Sequence, residues 1–331
     1  EFMSRAEILS RFGPAGITDY APAYGGKGKI TDDTQMTLFT AEGLLRGRMR
    51  GVSKGIAGFD HTVANAYLRW LATQGHECRA VTAEKDGWLF QQPELHSQRA
   101  PGMTCLSALR DYPGVPETAD NASKGCGGVM RVAPVGLYWR TFNGNSGLER
   151  ASEDGCMCAG LTHGHPSGYL TGGVLAVLIF ELLNDKTLLD ALGAAKILLI
   201  AERGHEETLA ALDKAVELSQ SGMPHHIAIQ ELGEGWVAEE ALAISVYCAL
   251  VAKSFEQGIV LAVNHDGDSD STGAITGNIL GAMHGTGVIP QRWLEPLELR
   301  EVIEAVASDL WTCQEWHSFM DDDGLWERYP G

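Results

Sequence analysis

Ten stretches of this sequence carry the 3.6-residue apolar rhythm of an α-helix, and almost nothing carries the alternation of a strand. They run 33–47, 61–74, 103–111, 150–162, 168–184, 187–202, 206–219, 237–252, 272–285 and 297–311. Turn-forming clusters separate them, among them Gly13-Pro14-Ala15-Gly16, Pro113-Gly114, Asn143-Gly144-Asn145 and Gly222-Met223-Pro224. No regular βα alternation exists, so a wound parallel sheet is excluded. The chain is expected to be all-α, with its helices around one core. Segments 85–101 and 112–130 are long for helix connections, which marks them as functional or mobile.

Charge narrows the function. Lys and Arg total 25 against 43 acids, a formal charge of −18. Proteins that grip nucleic acid concentrate Lys and Arg on one face, and no basic run occurs here, so direct nucleic-acid binding is not expected. No apolar tract approaches the ~18 residues of a membrane span. The seven cysteines (Cys78, Cys105, Cys126, Cys156, Cys158, Cys248, Cys313) are scattered and lack a CxxC pair. They read as reduced thiols of a cytoplasmic protein. The first residue is Glu1 rather than Met, so the sequence is expected to begin inside a longer chain.

Two clusters of oxygen donors stand out. Ile30-Thr31-Asp32-Asp33-Thr34 opens a helical run. Read simply, Thr31 caps the helix and the acids favour its positive end. The second, Asp266-Gly267-Asp268-Ser269-Asp270-Ser271-Thr272, places three acids on alternate residues. Carboxylates so close repel unless a cation or protonation offsets them. An EF-hand fails, because the positions that need Gly and Glu hold Ser271 and Gly277. Each cluster offers two carboxylates and a hydroxyl: Thr31, Asp32 and Asp33, then Asp268, Asp270 and Ser271. Hard oxygen donors without His or thiolate select Mg²⁺, Mn²⁺ or Ca²⁺ over Zn²⁺ or Cu²⁺. Four aspartates fit two ions better than one. Gly273, Gly277, Gly281 and Gly285 follow at every fourth residue, at about 1 kcal/mol each relative to Ala. The stripe is expected to seat a neighbouring helix, the one after Thr31 being the first candidate.

With these residues in view, the sequence resembles the ADP-ribosylglycohydrolase family, which includes dinitrogenase-reductase-activating and ADP-ribosylarginine hydrolases. The matching blocks are Thr31-Asp32-Asp33-Thr34, Lys124-Gly125-Cys126-Gly127-Gly128-Val129-Met130-Arg131, Leu161-Thr162-His163-Gly164-His165 and Gly267-Asp268-Ser269-Asp270-Ser271-Thr272. They occur in the family's order. The resemblance implies one compact helical domain over 1–331 with a metal site at converging helix N-termini, holding two Mg²⁺ or Mn²⁺. It makes Thr31, Asp32, Asp33, Asp268, Asp270 and Ser271 metal ligands, with Asp32 also facing substrate. It makes Lys124, Gly125, Cys126, Gly127, Gly128, Val129 and Met130 the loop that cradles a diphosphate and ribose, and places His163 near the nucleotide. The loop's glycines suit that task, since bare backbone amides can converge on phosphate oxygens. The family also has a first helix with a Gly-Asp-Ala-Leu-Gly-like stretch ending in Glu-Phe. Glu1-Phe2 stands where that pair falls, so Glu1 aligns with the family's mobile carboxylate, and the helix before it is expected upstream.

The reaction so implied is hydrolysis at the anomeric carbon of ADP-ribose attached to a protein side chain. Its transition state is oxocarbenium-like, and Asp33, Asp268 or Glu1 serves as base. The Asp-Ser-Asp-Ser motif and the Lys-Gly-Cys-Gly-Gly loop look more like arginine-specific than serine-specific members. Two other readings keep the same pocket. One is an immunity protein that plugs an ADP-ribosyltransferase toxin, and the other is a hydrolase of a small ADP-ribose conjugate or nucleotide sugar.

Overall fold

The computed structural model describes residues 2–56, 58–140, 145–317 and 324–331. Its regular elements, among the described residues, are helical: α1 (Arg5–Phe12), α2 (Asp32–Lys54), α3 (Phe59–Thr73), α4 (Met103–Arg110), α5 (Ala133–Trp139), α6 (Asn145–Gly160), α7 (Pro166–Leu182), α8 (Leu188–Ile200), α9 (Glu206–Gln220), α10 (His225–Leu232), α11 (Ala238–Val251), α12 (Phe255–Ala262), α13 (Ser269–His284), α14 (Gln291–Leu294), α15 (Arg300–Thr312) and α16 (Leu325–Arg328). Short 3₁₀ turns lie at Pro93–Leu95 and Val129–Arg131, inside or closing the two long connections. Isolated bridges join Ala23 to Gly26 and Gly125 to Val237. No described helix is long and apolar enough to cross a membrane.

Apolar character and depth do not run in parallel throughout, since the apolar α8 exposes Leu189, Ile197 and Ile200. α7 and α11 are hydrophobic on all sides, and both are buried along most of their length. α6 lies against α7 where glycines face each other. A Cβ on Gly155 would sit 2.7 Å from the Gly172 carbonyl, and one on Gly172 would sit 2.7 Å from the Gly155 carbonyl. One apolar cluster continues from this pair through α2, α3, α5 and α13. Within it, Glu42 on α2 is fully buried and paired with Arg46 at 3.0 Å and with Arg69 of α3 at 2.9 Å.

α2, with 23 residues, is the longest of the described helices, and it starts at the first acidic motif. It ends at Gly55 with φ 73°, a left-handed turn whose N–H returns to the Gly51 carbonyl. The glycine stripe of α13 does not seat α2, contrary to the expectation from spacing. A Cβ on Gly273 would lie 2.7 Å from Val263 and one on Gly277 would lie 3.5 Å from Ile259, so the close neighbour is α12. Gly281 faces open space and Gly285 ends the helix. Only the first glycine is demanded by a close approach.

Candidate active site

The chain entering α2 is fixed from outside the motif. Glu298 holds it: Lys29 Nζ lies 2.6 Å from Oε1, and the Ile30 amide donates to Oε2 at 3.2 Å. Arg99, from the 85–101 connection, also reaches Glu298 at 3.3 Å, and its carbonyl accepts the Asp32 amide at 3.1 Å. Thr31 occupies the N-cap position in extended backbone, yet its hydroxyl makes no cap bond. It donates instead to Asp33 Oδ2 at 3.2 Å, so the simple capping reading of Thr31 does not hold. Asp32 Oδ2 accepts the Gly102 amide at 3.2 Å. Asp33 Oδ1 is buried and has no hydrogen-bond partner.

The start of α13 is built differently. Asp268 is its N-cap and accepts the Ser271 amide at 3.4 Å. The Cys126 thiol donates to Asp268 Oδ2 at 2.7 Å, and the Ser271 hydroxyl lies 3.6 Å from that sulfur. Gly267 precedes with φ 109°, and a Cβ there would sit 2.1 Å from the Glu234 carbonyl, which accepts the Asp268 amide at 2.9 Å. Asp266, the third acid of the run, is engaged elsewhere: its Oδ1 accepts the Arg5 amide at the head of α1.

The two starts meet. Carboxylate oxygens of Asp32, Asp33 and Asp270 all lie within 4.8 Å of one another. Burial, then the charges of Asp270, Asp32 and Asp268, hold the Asp33 carboxyl well above its ordinary range. Burial also raises Asp32, against the pull of the Gly102 amide, and burial with the adjoining Asp270 raises Asp268. Crowded buried carboxylates with an unpartnered oxygen are what a hard divalent cation stabilises. The donor set therefore fits a hard cation such as Mg²⁺, Mn²⁺ or Ca²⁺.

Beside the acids, a cavity of about 330 Å³ is lined by Asp32, Asp33, Gly125, Gly127, His163, Trp236 and Asp268 among others, a size in the usual range for small-ligand sites. The glycine loop forms one wall. A Cβ on Gly127 would come within 2.9 Å of Cys105 Sγ, and one on Gly128 within 2.8 Å of the Gly168 carbonyl. These residues are glycine because neighbours press on the loop. The Gly125 amide donates to Ser123 Oγ and the Cys126 amide to the Trp236 carbonyl. Amides of Gly127 and Gly128 keep no protein acceptor among the described residues. The loop continues into the turn Val129–Arg131, where Val129 and Met130 are buried. Lys124 sits apart from its expected place in the cradle. Its ammonium pairs with Glu239 at 2.5 Å and Glu207 at 2.9 Å, so its charge is neutralised outside the cavity. Asp270 borders a second cavity, of about 430 Å³, with Arg11, Tyr20 and Trp293. Glu1 lies outside the described residues; Phe2 stacks on Trp236 at 5.9 Å.

The sequence model of the ADP-ribosylglycohydrolase family matches residues 1–318. The chain belongs to the ADP-ribosylglycohydrolase family. An uncharacterised protein of Archaeoglobus fulgidus is 32% identical over 300 residues, 89% of this chain and 85% of that one. Human ADP-ribosylhydrolase ARH3 is 27% identical over 216 residues, 57% of this chain and 58% of its own. ADP-ribosylarginine hydrolase Tri1 of Serratia proteamaculans is 26% identical over 293 residues, 86% of this chain and 67% of its own. Among solved structures, an ADP-ribosylglycohydrolase-related protein complex superposes with a TM-score of 0.59 at 29% identity, covering 87% of this chain and 83% of that one. Membership makes the protein an enzyme of glycosidic-bond hydrolysis.

In this ADP-ribosylglycohydrolase, sequence reasoning missed the frame around the acids. The segment Gly233–Val237 clamps the α13 start and the glycine loop: the Glu234 carbonyl holds Asp268, and the Trp236 carbonyl holds Cys126. Its one advance signal was the pair Gly233 and Gly235, both of which adopt positive φ. Glu298 and Arg99 carried no signal, because their role exists only where distant segments meet.

Proposed function

We propose that this enzyme removes ADP-ribose from modified protein side chains, arginine before serine, using two divalent cations, Mg²⁺ or Mn²⁺. The convergence of Asp32, Asp33 and Asp270 within 4.8 Å carries the reading. The likeness to a relative named as an ADP-ribosylarginine hydrolase over 86% of the chain supports the acceptor. Asp32, Asp33, Asp268 and Asp270, with the hydroxyls of Thr31 and Ser271, would hold the cations. Bound there, the cations would supply coordination for ribose hydroxyls and polarise a water. Cys126 keeps Asp268 turned toward the cavity by its 2.7 Å bond. Asp33 Oδ1, buried without a protein partner, is the oxygen best placed to take a proton from water, with Asp268 and Glu1 as the other candidates. The Gly127 and Gly128 amides receive the diphosphate, and the transition state is oxocarbenium-like. Seven thiols without a disulfide suit a reducing cytoplasm.

The test is release of ADP-ribose from arginine-modified and serine-modified protein, each with Mg²⁺, with Mn²⁺ and with chelator. Metal-dependent release from arginine with little from serine is expected. Equal turnover of both overturns the acceptor assignment, and full activity in chelator overturns the metal assignment.

A further inference from the structure

Arg131 is fully buried, and among the described residues no carboxylate stands within ion-pair distance of it. Each of its five N–H groups has an acceptor of another kind. Nε donates to the Tyr67 hydroxyl at 3.0 Å, and Nη1 to Met36 Sδ and Cys105 Sγ at 3.4 Å each. Nη2 donates to the Cys158 carbonyl and to Thr162 Oγ1 at 2.8 Å each. A guanidinium cannot accept a hydrogen bond, so Thr162 receives from Arg131. Besides Cys105 Sγ, a weak acceptor, the Thr162 proton then has two outlets, His163 Nδ1 at 2.8 Å and the Ala159 carbonyl at 3.4 Å. That carbonyl already accepts the Thr162 and His163 amides. The cation also polarises the hydroxyl into a better donor. The proton goes to Nδ1.

An imidazole that accepts at Nδ1 and is neutral carries its own proton on Nε2. Nε2 faces the glycine loop, 3.4 Å from where a Gly125 Cβ would be and 3.6 Å from where a Gly127 Cβ would be. We propose that Arg131 and Thr162 are positioning residues that fix His163 as its Nε2–H tautomer, offering a neutral donor to an anionic group of the ligand seated on that loop. Burial, and after it the Arg131 charge, push the His163 pKa down to about 3, consistent with an uncharged ring. The tautomer is a property of the free protein. The anion's identity as the diphosphate of ADP-ribose rests on the function proposed above.

The experiment pairs ¹⁵N NMR of histidine-labelled protein with ADP-ribose calorimetry, on the unaltered chain, Thr162→Val and Thr162→Ser. His163 is assigned by the resonance lost in His163→Gln. Expected are an unprotonated Nδ1 in the unaltered chain and in Thr162→Ser. Thr162→Val should give mixed tautomers and about tenfold weaker ADP-ribose binding, one hydrogen bond's worth. A protonated Nδ1 in the unaltered chain overturns the proposal, and that spectrum decides even if Thr162→Val fails to fold. Thr162→Val with unchanged tautomer and affinity overturns it equally. If the tautomer is as stated but no variant binds ADP-ribose, the relay stands and the proposed substrate falls.

Discussion

Asp33 makes the sharpest demand of any single residue. Its Oδ1 has no partner, and its charge is opposed by burial and three other aspartates. Asp33→Asn should therefore raise the melting temperature of chelated protein by relieving like charge, and should abolish the rise that Mn²⁺ gives the unaltered chain. That rise corresponds to about 2.7 kcal/mol at a hundredfold excess over Kd; calorimetry with and without chelator measures both effects. His163 makes the opposite kind of demand. Its folded pKa of about 3 lies below the unfolded value near 6.5, so the unfolded chain binds the extra proton between those limits. Stability tied to His163 is complete above about pH 6.5 and is lost as pH falls toward 3. At pH 5 the loss is about 2 kcal/mol. His163→Gln should gain that much on the unaltered chain between pH 7 and pH 5 in denaturant titrations. The acids at 266, 268 and 270 stand out in the sequence because carboxylates on alternate residues repel without a counter-charge, whereas Asp32 and Asp33 taken alone read more simply as acids at a helix start. The pairing of Lys124 could not be read from sequence, because its partners, Glu207 and Glu239, are more than eighty positions away along the chain.

At the scale of elements, ten helices were legible from apolar period; eight form within about three residues of their expected spans, while α2 runs on to Lys54 and α6 starts at Asn145. Shorter ones escaped. α5 carries a proline in its first turn and a glycine at its middle, and the buried face of α12 is Phe255, Gly258 and Ala262, two of them too small to mark an apolar stripe. The α12 omission explains why the α13 stripe was assigned the wrong neighbour: the helix that Gly273 meets had not been recognised. α2 and α3 are joined at Glu42, whose single carboxylate serves two buried arginines. Glu42→Gln should destabilise the protein by about 3–5 kcal/mol, the usual result of stranding buried charge. Urea unfolding would show a lower midpoint with an unchanged slope. A shift below about 1 kcal/mol would mean that Arg46 and Asp86, 3.0 Å apart, re-form the network without it.

For the molecule as a whole, α7 and α11, apolar on every side, have nowhere to go but the centre. The site follows from two helix starts whose acids need a common counter-charge. A surface of net charge −18 repels an anionic ligand, and the one lysine of the glycine loop is already paired. Attraction is left to the cations and the loop amides of the proposed site. Dissolved ions shorten the reach of exposed charge from about 10 Å at 0.1 M to about 3 Å at 1 M, but they screen buried groups much less. Raising ionic strength should therefore mute the repulsion and spare the attraction. ADP-ribose affinity at saturating Mg²⁺ is expected to hold or improve between 0.1 M and 1 M KCl, where a cradle built on surface lysines would lose its ligand.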